Sequence, residues 1–260
     1  MAHGTIQHEF LDQVFPRIAA DGRVAGIAVG GSLASGASDQ YSDVDLVLAI
    51  HNDQYESVMA DRLGLIASWS APAVAFTGEH VGEPRLIIAL MGPPVLHVDF
   101  TFVRVSDFAE RVSDPRLLWD PTGALARELV AHPLEDAPLD LQWIEDRFWV
   151  WVHYGATKLG RGELFEVLDT LSFLRSVVFG PLAALRAGVE PRGVRRLEKV
   201  APGEAAELRA TVCGYAVAEA SEALLAAVAL YRRWIGQHPV DRRDAAEKLA
   251  TDYLAEIVGR

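Results

Sequence analysis

Two apolar runs joined through a glycine turn, the second with acids on alternate residues, constrain this chain more than any other feature in it. The stretch is VAGIAVGGSLASGASDQYSDVDLVLAI, residues 24–50. The first run predicts a strand that ends at Gly30-Gly31-Ser32. The second, 44–50, is apolar and rich in β-branched residues, and predicts another. Side chains two residues apart in a strand share a face, about 6.6 Å apart along the chain. Asp43 and Asp45 therefore share one face, and Val44, Leu46, Leu48 and Ile50 the other. A later run, VLHVDFTFV at 95–103, has the same character. Asp99 shares its face with His97 and Thr101, while Leu96, Val98, Phe100 and Phe102 form an apolar face opposite. If the two strands are neighbours in one sheet, the three carboxylates converge.

Three like charges on one face repel and are costly without cations. Mg²⁺ is a hard ion that takes oxygen ligands, often one or two carboxylates together with substrate phosphates. Two such ions can clamp the attacking and leaving oxygens of a phosphoryl displacement. Asp43, Asp45 and Asp99 are the candidate ligands, with the Asp43/Asp45 pair bridging both ions and Asp99 holding the one that activates an acceptor hydroxyl. Glycine lets the backbone approach a phosphate closely. N–H groups exposed in such a turn, or at a helix start, cradle anions, and the Ser32 hydroxyl adds a donor. Gly36 allows a second bend before Ser42-Asp43. Taken singly, each piece has a plainer reading: a turn, a solvated strand end, a strand-edge acid.

Together, Gly31-Ser32, Gly36, Ser42-Asp43, Asp45-Leu46 and Asp99 resemble the signature of the DNA-polymerase-beta-like nucleotidyltransferase superfamily. The resemblance covers roughly the first half of the chain and implies an α+β fold whose catalytic core is a mixed sheet. It implies Mg²⁺ and a nucleoside triphosphate, ATP being the expected one, with transfer of a nucleoside monophosphate and release of pyrophosphate. Gly31, Ser32 and Ser42 would be nucleotide-binding. A catalytic domain followed by a helical one looks most like the small-molecule branch, which includes the aminoglycoside and lincosamide nucleotidyltransferases of antibiotic resistance. The acceptor is then a small hydroxyl-bearing molecule. One departure is that many relatives carry a basic residue just before the second glycine, where this chain has Ser35. Two other readings stay open: a protein adenylyltransferase of toxin–antitoxin type, and a non-catalytic nucleotide-binding module. Three retained aspartates count against the second.

Composition agrees with this reading. The 260 residues suffice for two modest domains, and 50% are hydrophobic. A net charge of −12 disfavours nucleic acid as a partner and suits a polycationic acceptor, although solubility accounts for the charge equally well. Cys213 is the single cysteine, so neither an intramolecular disulfide nor a cysteine-based zinc cluster is available. It sits in an apolar helical stretch and reads as a small core residue. No secretory signal pattern opens the chain. The apolar stretch ALLAAVAL at 223–230 is too short to span a membrane. A cytoplasmic protein, monomer or homodimer, without membrane contact is expected.

The expected catalytic domain covers 1–135 and the helical acceptor-binding domain 136–260, with a proline-rich linker, AHPLEDAPLD, at 131–140. In the first domain, Ile6, Phe10, Val14 and Ile18 predict a helix over 5–20, with Pro16 marking a kink or early end. A helix over 53–68, strands at 73–77 and 85–90, and a strand, turn and helix within 117–130 follow. In the second, helices are predicted over 139–160, 163–186, 204–236 and 241–258, a four-helix array. Leu164, Leu168, Leu171, Leu174 and Val178 form the apolar stripe of the 163–186 helix. Around the Gly160-Arg161-Gly162 joint, Lys158 and Arg161 are candidates for triphosphate oxygens. Glu163 or Glu166 is a candidate partner for an acceptor amine or general base for its hydroxyl, Glu163 the better placed of the two. The plainer reading makes these the solvated charges of two helix ends. Trp143, Phe148, Trp149, Trp151 and Tyr154 crowd one helix and are expected mostly to pack a core, with an exposed ring available to stack on a base or sugar.

Overall fold

Strands β1 (Val24–Val29), β2 (Val44–Ile50), β3 (Val74–Thr77), β4 (Leu86–Met91), β5 (Leu96–Arg104) and β6 (Arg116–Trp119) form one mixed sheet in the order β3-β4-β5-β2-β1-β6. The computed structural model describes residues 5–134 and 138–259. The chain divides into two compact units, Met1–Asp136 and Ala137–Arg260. The expected domain boundary, and the middle of the expected linker, fall on 135–137, outside the described residues. The first unit is a sheet with helices and the second is helical, which makes the fold α+β.

Only β2 and β5 pair in parallel; the other neighbours are antiparallel. One face of the sheet carries the main core of the first unit. Val44, Leu46, Leu48 and Ile50 of β2, and Leu96, Val98, Phe100 and Phe102 of β5, are buried there. Helices α1 (Ile6–Ala19) and α3 (Tyr55–Ser70) cover it with Phe10, Val14, Ile18, Ile66 and Trp69. Helix α1 runs through Pro16 to Ala19, because Ile18 is drawn fully into the core and the Pro16 carbonyl still accepts from the Ala20 N–H at 3.1 Å. Its buried stripe includes Gln7, a polar side chain the apolar pattern did not pick out.

The opposite face has two parts. At one end Ala28, Ala49 and Val103 pack with Phe108 and with Leu125 of α4 (Ala124–Ala131). Gly26 makes this packing possible, since a Cβ there would overlap the Leu125 side chain. The other end, nearest the glycine turn, carries Asp45, His97 and Asp99, which are part-exposed or exposed.

In the second unit α5 (Leu141–Gly160) and α10 (Val217–Ile235) are the long core helices, joined by α6 (Leu164–Leu174), α7 (Gly180–Arg186), α8 (Leu197–Val200), α9 (Pro202–Leu208) and α11 (Asp244–Val258). Four long helices form, Leu141–Gly160, Leu164–Arg186, Val217–Ile235 and Asp244–Val258, with the short α8 and α9 between the second and third. The helix predicted over 163–186 passes through a wider π turn at Arg175–Phe179. The one predicted over 204–236 breaks between Leu208 and Val217, where the Gly214 N–H leaves the helical pattern and donates to Glu219 Oε2 at 2.7 Å. In α6, Val167 rather than Leu168 completes the buried stripe. The run Leu164–Arg186 is apolar and long enough to cross a membrane, which the stretch at 223–230 is not, but 56% of its most apolar window is buried inside this unit. It reads as a core helix.

Candidate functional site

The sheet register decides how the acids meet. Asp45 and Asp99 are direct partners across the parallel β2–β5 ladder, so their side chains leave the same face of strands about 4.8 Å apart. Asp43 stands two residues before Asp45, just outside β2, and is part-exposed. Asp99 does not stand alone: His97, on the same face, meets its Oδ1 through Nε2 at 2.8 Å. Among the described residues, no three His, Cys, Asp or Glu side chains are drawn close enough to enclose a metal ion as they stand.

The glycine turn closes onto Asp45. The Gly30 N–H donates to the Asp45 carbonyl at 2.8 Å, carrying the β1–β2 ladder one residue past β1. The chain then turns into the short helix α2 (Gly31–Ala34). Gly31 has φ +56°, and a Cβ on it would overlap the Asp45 carboxylate, so backbone conformation and space both require glycine here. The next side chain, Ser32, has its hydroxyl buried with no hydrogen-bond partner among the described residues. A buried polar group without a partner is costly, and a nucleotide phosphate oxygen would satisfy it. Hard oxygen donors, a cradle only glycine permits and an orphaned hydroxyl together fit a Mg²⁺-nucleotide.

Ser42 is engaged locally. Its hydroxyl accepts from the Asp39 N–H at 2.9 Å and donates to Asp39 Oδ1 at 3.3 Å. This loop is fastened from below by Gln7, which is fully buried. Its Nε2 donates to the Ser42 carbonyl at 2.6 Å and to the Asp39 carbonyl at 3.1 Å. Gln7 thus sets the course of the chain into Asp43. Sequence reading missed it, although a glutamine interrupting an apolar helical stripe is a visible signal of a buried polar contact.

The remaining candidates belong to the second unit, where they pair with one another. Lys158 Nζ lies 2.7 Å from Glu163 Oε2 and 3.8 Å from Glu166 Oε2. Arg161 lies 3.9 Å from Glu163 Oε1, and the Tyr154 hydroxyl donates to Glu166 at 2.8 Å. Gly162, with φ +70°, makes the joint that allows this. The hydrogen bond from Lys158 holds the Glu163 carboxyl below its ordinary range, and Glu163 in turn raises Lys158. A base is weakened by such a partner. Next to this cluster, Trp151, Tyr154, Glu166, Asp169, Thr170 and Phe173 line a cavity of ≈ 340 Å³ between α5 and α6. Of the aromatic group, Phe148 and Trp149 are core residues, while Trp143 and Tyr154 are exposed.

The fold thus makes an Asp-x-Asp strand entered from a glycine turn, with a third aspartate opposite on a parallel neighbour. No family model matches the chain, and no curated protein matches it. Solved structures similar to it include an aminoglycoside 6-adenyltransferase from Bacillus subtilis, with 16% identity over 96% of this chain and 98% of that one and a TM-score of 0.43. A nucleotidyltransferase-like protein from Exiguobacterium sibiricum shares 13% identity over 96% of this chain and 78% of that one, with a TM-score of 0.39. A chain of an E. coli CdnC:HORMA complex shares 11% over 88% and 89%, with a TM-score of 0.27. At these identities and scores the functional reading rests on the residues of this chain.

Proposed function

We propose that this protein is a Mg²⁺-dependent nucleotidyltransferase that moves AMP from ATP to a hydroxyl of a small molecule such as an aminoglycoside or lincosamide antibiotic, in the cytoplasm. The observation that carries this is the pairing of Asp45 with Asp99 on parallel strands, where the Gly30–Gly31–Ser32 turn folds against Asp45. In the reaction the acceptor oxygen bonds to the α-phosphorus, the α–β phosphoanhydride breaks and pyrophosphate leaves. Asp43, Asp45 and Asp99 would hold the metal, which when bound supplies charge neutralisation and an activated hydroxyl. The turn around Gly31 and the Ser32 hydroxyl would orient the phosphates.

Lys158 and Arg161 are the proposed partners of triphosphate oxygens and Glu163 the proposed base, although Lys158 now pairs with it. The aromatic and acidic cavity beside them suits an amine-bearing acceptor, since cations are held by aromatic faces and carboxylates together. The acidic balance of the chain supports a cationic small molecule over nucleic acid.

The test is mass spectrometry of protein, Mg²⁺, the four ribonucleoside triphosphates and a panel of aminoglycosides and lincosamides. A nucleotide-sized gain on one compound is expected. A gain on a protein instead would move the acceptor to the adenylylating-toxin reading, and no Mg²⁺-dependent gain on any hydroxyl compound or protein would overturn the activity.

A further inference from the structure

Arg175 opens the π turn of the second unit, and its guanidinium has an unusual setting. Burial pushes its pKa below the ordinary arginine value, whereas Arg23, Arg85 and Arg243 are raised by carboxylate partners. Among the described residues its one hydrogen bond goes to the Thr211 carbonyl, at 2.6 Å, and no carboxylate pairs with it. A desolvated charge without a counter-charge is costly. Arg175 also lines a cavity of ≈ 220 Å³. Arg209, exposed and without a partner among the described residues, lines the same cavity, together with the apolar Val194, Leu197, Leu208 and Val212. Glu198 is the one acid in the lining.

The cavity is built rather than accidental. A π turn widens the helix and is found often at functional positions. Just beyond it the Gly193 loop lies so close that a Cβ on Gly180 would overlap the Gly193 carbonyl. That contact seats the 193–198 segment, and so Val194 and Leu197, against the π turn. Two arginines over an apolar pocket, in a protein of net charge −12, make a local inversion of sign.

We propose that this pocket of the second unit is an anion site that takes a small organic acid: an oxyanion head held by Arg175 and Arg209 and a short apolar body against Leu197, Leu208 and Val212. The head is a carboxylate or a phosphate monoester, both of which accept charge-assisted hydrogen bonds from a guanidinium.

The test is calorimetric titration of the whole protein with butyrate, butyl phosphate and butylamine. Binding of either anion, but not of the amine, is expected; butyrate alone would identify a carboxylate ligand and butyl phosphate alone a phosphate ester. Arg175→Met keeps the apolar stem and should weaken anion binding about tenfold or more. Glu198→Gln removes the opposing charge and should tighten it about threefold, a readout that survives if the arginine variant folds poorly. No binding of either anion, binding unchanged in Arg175→Met, or weaker binding in Glu198→Gln would overturn the site.

Discussion

Two buried or half-buried acid sites, one in each unit, use the same functional group in opposite ways. In the second unit Glu145 is fully buried and every oxygen is used. Its Oε1 accepts from the Trp149 Nε1–H at 3.0 Å and the Arg243 N–H at 2.9 Å, with Arg242 at 3.4 Å, and its Oε2 accepts from the Tyr231 hydroxyl at 2.7 Å. That carboxylate ties α5 to α10 and to the entry of α11. In the first unit, Asp43, Asp45 and Asp99 stay part-exposed on a sheet end left uncovered by α4, beside a Ser32 hydroxyl without a partner among the described residues. A saturated buried acid specifies packing; acids gathered at an open edge with an orphaned donor are arranged for something that arrives.

The sharpest break of this comparison is Asp45→Asn. It should lower transfer at least about a hundredfold by removing metal-held charge stabilisation, while the circular dichroism spectrum and melting stay those of the parent. Unchanged turnover would make Asp45 a structural acid like Glu145. Next comes Glu145→Ala, which strands the Tyr231 hydroxyl, the Trp149 N–H and the Arg242 charge. A loss of about 3 kcal/mol in a denaturant titration is expected, and a loss below about 1 kcal/mol would show that the network is not what holds these helices. Gln7→Leu sits between the two cases, because it is structural in place and functional in reach. It should cost about 1–2 kcal/mol through the two freed carbonyls and should also raise the KM for the nucleotide by loosening the chain into Asp43. A stability loss with kinetics untouched would sink the positioning role.

The smallest effect is a pH dependence. The Arg23 side chain hydrogen-bonds the Asp21 carboxyl and holds it below its ordinary value of 3.8. A depressed folded-state pKa contributes stability that is present above the unfolded value and lost as pH falls through the folded one. Asp21→Asn should therefore be less stable than the parent at pH 6, by less than about 1 kcal/mol because Arg23 is partly exposed, and the gap should close below about pH 4. A gap that persists at pH 2 would point to packing instead.

The strands, the alternation of β2 and β5 and the glycine turn were legible from residues 24–50 and 95–103 because a period of two with one apolar face has few other solutions. Helix α1 keeps the extent its apolar spacing predicts, running on past Pro16, where core burial of Ile18 outweighs local punctuation. The long helix expected over 204–236 failed for a related reason: apolar content continues through Val212 and Cys213, but the Gly214–Glu219 bond and the Arg175–Thr211 contact bind that segment in another course.

What the sequence determined by itself was chemical type and local periodicity: which residues are acids, which face of a strand they take, and where only glycine would serve. Tertiary structure alone decided that β2 and β5 lie side by side and in parallel, with Asp45 opposite Asp99. It also decided that Gln7 reaches across to residues 39 and 42, and that Lys158 meets Glu163. These are choices of partner. A strand's pattern fixes its faces but not its neighbour, because register between distant segments is set by the whole core that both must bury.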